Sequence, residues 1–251
     1  MLIEYAADIL PSSCKAIGGA TFAPVWKEFF PLLLKRASNT KAGTTRSAAL
    51  GAIADVIKAS GEQTACEYGP ALVQTFLSCV THKETNVRNN AVYGLGVIVS
   101  LGVNSCGGEF EAILGQLWKV LQHEKQDAVK DQVLGAVSRM AIAINSCQNV
   151  NMKTEPIVEG ILQSLPIKSD PSELAPVVQC LSGHLAHLSD DQIMAVCKNI
   201  SSLAEDYGDN FDDVIKTSIV QFLKVAQEQR QGALAGLTAE EHSIIQAALE
   251  A

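Results

Sequence analysis

The chain has 251 residues, 47% of them hydrophobic and 18% charged, with a net charge of −8. That is too apolar for disorder and rich enough for a large core; no apolar run reaches the ~20 residues a membrane-crossing helix needs, and Glu4 and Asp8 fall where the apolar stretch of a signal peptide would lie. The negative balance disfavours binding along a phosphate backbone and favours basic partners.

Residues 2–17, "LIEYAADILPSSCKAI", predict a lone helix in which Pro11 is a candidate break. From there one spacing recurs. Arg46, Arg88 and Lys130 stand 42 residues apart, as do Trp26, Tyr68 and Phe110, and Leu34, Phe76 and Trp118. The sets Leu50/Val92/Leu134, Ile53/Leu95/Val137 and Val56/Ile98/Met140 keep the same step. A period of roughly 40–47 residues with two helices per unit is the signature of HEAT or armadillo repeats. The regular units are 22–58, 65–101 and 108–145.

Within each unit a first helix, A, carries an apolar stripe such as Trp26, Phe30, Leu33 and Leu34. A second helix, B, opens with a polar turn and a cation, as in "NVRNNAVYGLGVIV", and the cation is expected to bridge to a neighbouring repeat. Gly94 and Gly96 flank the apolar face of that B helix, although each glycine in a helix costs about 1 kcal/mol relative to alanine. Their counterparts are also small, Ala52 and Ala136 for Gly94, and Ala54 and Ser138 for Gly96. Both glycines are therefore read as stacking features that let neighbouring B helices approach.

Residues 154–188 and 190–230 each predict a further helix pair, off register, with a helix body over 177–188 opened by Pro171 and Pro176. Residues 238–250 predict a cap helix with a capping box at Thr238 and Glu241. The fold class is all-α: a solenoid of about five helix pairs, preceded by a lone helix and closed by the cap, in one domain over 1–251. An apolar half-unit in front and a polar cap behind suggest a piece of a longer array.

No catalytic motif is present, neither a phosphate-binding glycine loop nor G-x-S-x-G nor H-E-x-x-H. Cys180, His184 and His187 share a face of the predicted helix, but without a fourth ligand or an orienting partner they read as a thiol and two histidines rather than a zinc site. No enzyme activity, metal or cofactor is expected. The seven cysteines are scattered without a C-x-x-C pair, which fits a reducing compartment. Residues 190–213 hold seven acids against the single cation Lys198. The stretch "EDYGDNFDD" lacks calcium-loop spacing and reads as a solvated connection that attracts basic partners.

The B-helix faces that line the hollow of a solenoid are the expected binding surface. They present Asn86, Asn89, Asn90 and Tyr93 in one unit, Asp131 and Gln132 in the next, and Asp55 in the one before, with Glu173 and His184 further along. Amides hold a peptide backbone at both its donors and acceptors, a tyrosine ring covers a lysine stem or a guanidinium, and carboxylates supply the charge match.

"FAPVWKEFFPLLLKRA", "NVRNNAVYGLGVIVSLG" and "ILQSLPIKSDPSELAPVVQCLSGHLAHLSDDQI" resemble repeats of the importin-β (karyopherin-β) nuclear transport receptors. The resemblance covers nearly the whole chain and is strongest over 20–145. It implies a carrier that shuttles between cytoplasm and nucleus, with cargoes that include histones H3 and H4 and ribosomal proteins. It also implies that the GTPase Ran binds through N-terminal repeats this chain lacks, and that nucleic acid and membranes are not direct partners. The family's acidic insertion is missing. A lysine-rich localisation segment, such as a histone tail, is the expected ligand; a HEAT scaffold for a phosphatase or chaperone assembly is the alternative.

Overall fold

Apolar positions that recur at a fixed step are buried in every unit only if the units stack in register, each covering the exposed face of the one before. The computed structural model, which describes residues 2–39, 42–147, 150–230 and 232–250, has this form. Its helices are α1 (Leu2–Ile17), α2 (Gly19–Asn39), α3 (Gly43–Ser60), α4 (Glu62–Leu77), α5 (Thr85–Leu101), the single turn α6 (Val103–Cys106), α7 (Phe110–His123), α8 (Asp127–Ser146), α9 (Glu155–Ser164), α10 (Leu174–Ser182), α11 (Asp190–Tyr207), α12 (Asp213–Gln229) and α13 (Ala239–Glu250). There is no strand among the described residues, and no single helix there is long and apolar enough to cross a membrane.

The B helices α1, α3, α5, α8, α10 and α12 pack side by side in that order. In the regular units each A helix, α2, α4 and α7, lies against the B helix of its own unit. The core runs through this double layer without interruption: Leu50, Ile53, Leu95, Ile98, Val137 and Met140 are buried from one repeat to the next. Each such side chain contributes roughly 1.5–3 kcal/mol of hydrophobic stabilisation. Trp26, Phe30 and Tyr68 form an aromatic knot between α2 and α4, with ring centroids 4.6–6.0 Å apart.

Local sequence sets the junctions. Gly61 takes φ +84°, a conformation that L side chains rarely adopt, and turns the chain directly from α3 into α4. Thr238 and Glu241 form the reciprocal capping box at α13, through N–H donations of 2.8 and 3.1 Å. Arg88 bridges to the next repeat: its Nε and Nη2 donate to Glu124 at 2.6 and 2.9 Å, while Nη1 donates to the carbonyls of His82 and Lys83.

Three expectations change. Pro11 lies within α1 without ending it. Gly96 does serve B-helix stacking, since a Cβ there would lie 2.7 Å from the Cα of Ala136 on α8, but Gly94 instead makes room for the ring of Phe76 on the A helix of its own unit. The body predicted over 177–188 ends at Ser182, and Leu185–His187 form a separate 3-10 turn, so Cys180, His184 and His187 do not share a helix face.

Candidate functional site

Stacking the B helices at a nearly constant offset leaves their outward faces as the wall of one groove of about 480 Å³. Five consecutive B units contribute: Lys58 from α3, Asn89, Asn90 and Tyr93 from α5, Gln132 and Arg139 from α8, Glu173 and Gln179 from the α10 region, and Asp212 and Ile215 from the α12 region.

Most polar groups on this wall are engaged with the neighbouring repeat. Asn90 Nδ2 donates to the carbonyl and hydroxyl oxygens of Ser47, both at 2.9 Å. Gln132 Nε2 donates to Asp170 Oδ2 at 2.7 Å, and Gln179 Nε2 to the hydroxyl of Ser218 at 2.7 Å. The Tyr93 hydroxyl donates to Asp55 Oδ1 at 2.9 Å. Burial, together with the charge of Asp55, pushes the Tyr93 phenol well above its ordinary value, so it remains a donor. Burial also raises the Asp55 carboxyl, opposed by the Tyr93 hydrogen bond and by Lys58.

The Tyr93 ring already has cations. Lys58 Nζ and Arg139 Cζ each lie 5.6 Å from its centroid, so the place expected for a partner's lysine stem or guanidinium is held by the chain's own residues. Arg139 in turn pairs with Glu173, at 2.8 and 2.9 Å, and Gly135 leaves the space the carboxylate fills. Glu173 is almost wholly buried, which raises its carboxyl despite the guanidinium.

Two sequence-predicted residues lie away from the groove for a clear reason. Asp131 faces the loop before α10 and accepts the backbone N–H groups of Lys168, Ser169 and Asp170 at 2.6–3.2 Å. Burial raises its carboxyl against those bonds. His184 is buried, with Nδ1 against the Cys180 carbonyl and Nε2 against the Thr154 hydroxyl. Asn86 is exposed but outside the groove wall, and Asp55, which accepts the Tyr93 hydroxyl, is also outside it. Among the described residues no group of three or more His, Cys, Asp or Glu is placed to hold a metal ion.

What the groove leaves open are acceptors. Asn89 Oδ1 and Gln132 Oε1 are buried without a hydrogen-bond partner, and the orientation of Gln132 is fixed because its NH2 must face the Asp170 carboxylate. Each such oxygen favours a ligand that brings an N–H donor. The wall holds two cations, Lys58 and Arg139, and two carboxylates, Glu173 and Asp212, so its middle is charge-balanced. The surplus of acid lies around the α11–α12 connection that leads into Asp212, where Glu205, Asp206, Asp209 and Asp213 are exposed. Lys58, Gln179 and Ile215 were missed by sequence reasoning: Lys58 matches Ser100 and Ile142 in register, and the other two lie where the 42-residue step has lapsed.

No protein-family profile matches the chain. Human importin-4 is 32% identical over 204 residues, 80% of this chain, and mouse importin-4 is 32% identical over 186 residues, 74% of it. A probable importin subunit beta-4 of Schizosaccharomyces pombe is 26% identical over 201 residues, 75% of the chain. The chain spans less than a fifth of these relatives, 18%, 16% and 18% of their lengths. A designed armadillo repeat protein superposes with a TM-score of 0.50 at 17% identity, covering 88% of this chain and 98% of the design, which concerns the fold alone. Over some four fifths of its length the chain is thus similar to a part of importin-4, and the likeness to importin-β receptors carried by its repeats is borne out by these relatives.

Proposed function

We propose that this chain is the cargo-holding part of a nuclear transport receptor that moves between cytoplasm and nucleus, and that it grips an extended basic segment in the B-helix groove. The observation that carries the reading is the pair of buried amide oxygens, Asn89 Oδ1 and Gln132 Oε1, left without donors in a groove that crosses five repeats. An extended peptide offers backbone N–H groups at that level, and its lysine or arginine side chains reach the acidic α12 end. A histone H3 or H4 tail, or a lysine-rich stretch of a ribosomal protein, has this chemistry. The charged contribution then comes from Asp212 and the acids beyond it rather than from Asp131 or Glu173, which are engaged internally.

Fluorescence anisotropy with a labelled H3-tail peptide at two ionic strengths tests this. Binding is expected at low salt and weakens as salt screens the charges. Replacing Asn89 and Gln132 by leucine removes two hydrogen bonds of about 1 kcal/mol each, which corresponds to roughly a tenfold to thirtyfold loss of affinity. Absence of binding at low salt, or an unchanged affinity in the double variant, overturns the proposal.

A further inference from the structure

A second cavity, of about 630 Å³, shares no lining residue with the groove and lies where the α4–α5 loop meets the end of α7 and the α7–α8 loop. Its rim carries Lys83, Lys119 and Lys125, with His82 and His123 beside them. All three lysines are exposed. Among the described residues none of their ammonium groups has a carboxylate oxygen within 4.0 Å.

The acids nearest in sequence are turned away. Glu124, the single carboxylate on the rim, is neutralised by the two-pronged pairing with Arg88 and accepts the N–H groups of Lys125 and Gln126. The Glu84 carboxylate sits against Gly43 of the preceding repeat. Asp127 pairs with Lys130 at 3.4 Å and lies 3.8 Å from Lys168. The result is a pocket with three uncompensated positive charges on a chain whose net charge is −8.

We infer that this pocket is a docking site for an acidic peptide segment, a run of aspartate or glutamate on a partner protein. Three features favour carboxylates on a peptide over a phosphate or a nucleic acid. The rim's one arginine, Arg88, has its Nε, Nη1 and Nη2 groups engaged by Glu124 and two carbonyls, so no guanidinium fork is free for a phosphate. The lining holds no Phe, Tyr or Trp ring on which a base would stack, and its two imidazoles are tied to the backbone, His82 Nδ1 accepting the Glu84 N–H and His123 Nδ1 lying against the Lys119 carbonyl. The lysines are spread over two loops and a helix rather than converging on one point, and Gln116 and Gln126 stand between them, an arrangement that suits an extended backbone with several acidic side chains. The site is independent of the groove, so one receptor surface takes a basic segment and another an acidic one.

The probe is a fluorescein-labelled decaglutamate followed by anisotropy at low salt, with inorganic phosphate and a thymidine oligonucleotide as competitors. Decaglutamate is expected to bind, to lose affinity as salt rises, and to lose at least tenfold in the triple variant Lys83→Glu, Lys119→Glu, Lys125→Glu. Binding of a basic peptide to the groove is expected to stay within twofold. The three side chains are exposed and unpaired, so circular dichroism should report the same fold; the single variants, each several-fold weaker, provide the same reading. An affinity unchanged by charge reversal, or tighter binding of phosphate or the oligonucleotide than of decaglutamate, overturns the inference.

Discussion

The two glycines of α5 permit a sharp comparison, because the same substitution has opposite expected effects at different places in the stack. In an unobstructed helix Gly→Ala gains about 1 kcal/mol from propensity. Gly115, in the middle of α7, has open space where an alanine methyl would lie, with nothing within 4 Å, so Gly115→Ala is expected to gain that amount. At Gly96 the new methyl falls 2.7 Å from both the Cα and the Cβ of Ala136. The Cα is backbone and has no rotamer by which to yield, so α5 and α8 must separate across a well-packed interface. Overpacking of this kind costs roughly 1–3 kcal/mol. With a cost at the upper end, less the propensity gain, Gly96→Ala is destabilising by about 2 kcal/mol. For a chain of this size that lowers the melting temperature by about 4–8 °C. Gly94→Ala is opposed by the fully buried Phe76 ring instead, and Phe76→Leu in the same chain should recover part of its loss, whereas it should not rescue Gly96→Ala. Thermal unfolding by far-ultraviolet circular dichroism reads all five variants. If Gly96→Ala stabilises the chain as Gly115→Ala does, the claim that close B-helix stacking requires that glycine is wrong.

Two further substitutions test the inter-repeat charges. Arg139→Met leaves Glu173 buried without its guanidinium and should cost about 3–5 kcal/mol at pH 7. The folded carboxyl lies above its unfolded value of 4.5, so its contribution is most favourable below that value and is lost as pH rises; urea titrations should show the deficit of the variant narrowing as pH falls toward 4.5. Arg88→Met tests a carboxyl shifted the other way, although its gap too should narrow on acidification. Burial alone would raise Glu124, but the Arg88 hydrogen bond and the N–H groups of Gln126 and Lys125 outweigh it and hold the carboxyl below 4.5. Stability from a depressed carboxyl is present above the unfolded value and lost as pH falls, so the advantage of the parent chain over Arg88→Met, about 2–3 kcal/mol at pH 7, should shrink below pH 4.5. A gap that grows on acidification would refute the pairing.

The repeat was legible because stacking repeats imposes the same apolar demand every 42 residues over 22–145, and that demand leaves Ile53, Leu95 and Val137 in step. The cation at Arg88 was readable for the same reason. The binding residues were less so. Alternation and helical spacing tell which side chains leave the core, but not whether a side chain that leaves it meets solvent or the next repeat. Asp131 and Glu173 have the composition of ligand-binding carboxylates, yet one holds the loop 168–170 and the other holds Arg139. That difference depends on where the off-register segment 165–173 returns against α8, and a chain whose period has lapsed carries no local mark of the return. The break of α10 at Ser182 was hidden likewise, since "CLSGHLAHL" keeps helical spacing while Leu185–His187 tighten into a separate turn.

The open acceptors follow from how the polar ladder is directed. Asn90 and Gln132 occupy equivalent positions one repeat apart, and both spend their NH2 on a neighbouring unit, but in opposite senses: Asn90 reaches back to Ser47 on α3, and Gln132 reaches forward to Asp170 before α10. Between α5 and α8, then, neither amide spans the gap. The oxygens of Asn89 and Gln132 remain unmatched on the two sides of that gap, within the groove. If both amides reached the same way, every repeat interface would be closed by its own side chains and a partner would find only satisfied groups. Because they diverge, the desolvation cost of the unmatched oxygens is already borne by the folded chain, and a donor that fills the gap recovers it on binding. Weakening one strut tests this directly: in Ser47→Ala, Asn90 loses its hydroxyl acceptor at the α3 side but keeps the carbonyl, whereas the acceptors between α5 and α8 are untouched, so peptide affinity should hold within about twofold while stability falls by about 1 kcal/mol. A loss of affinity as large as that of the Asn89 and Gln132 double variant would show that the whole ladder, rather than its divergence, forms the site.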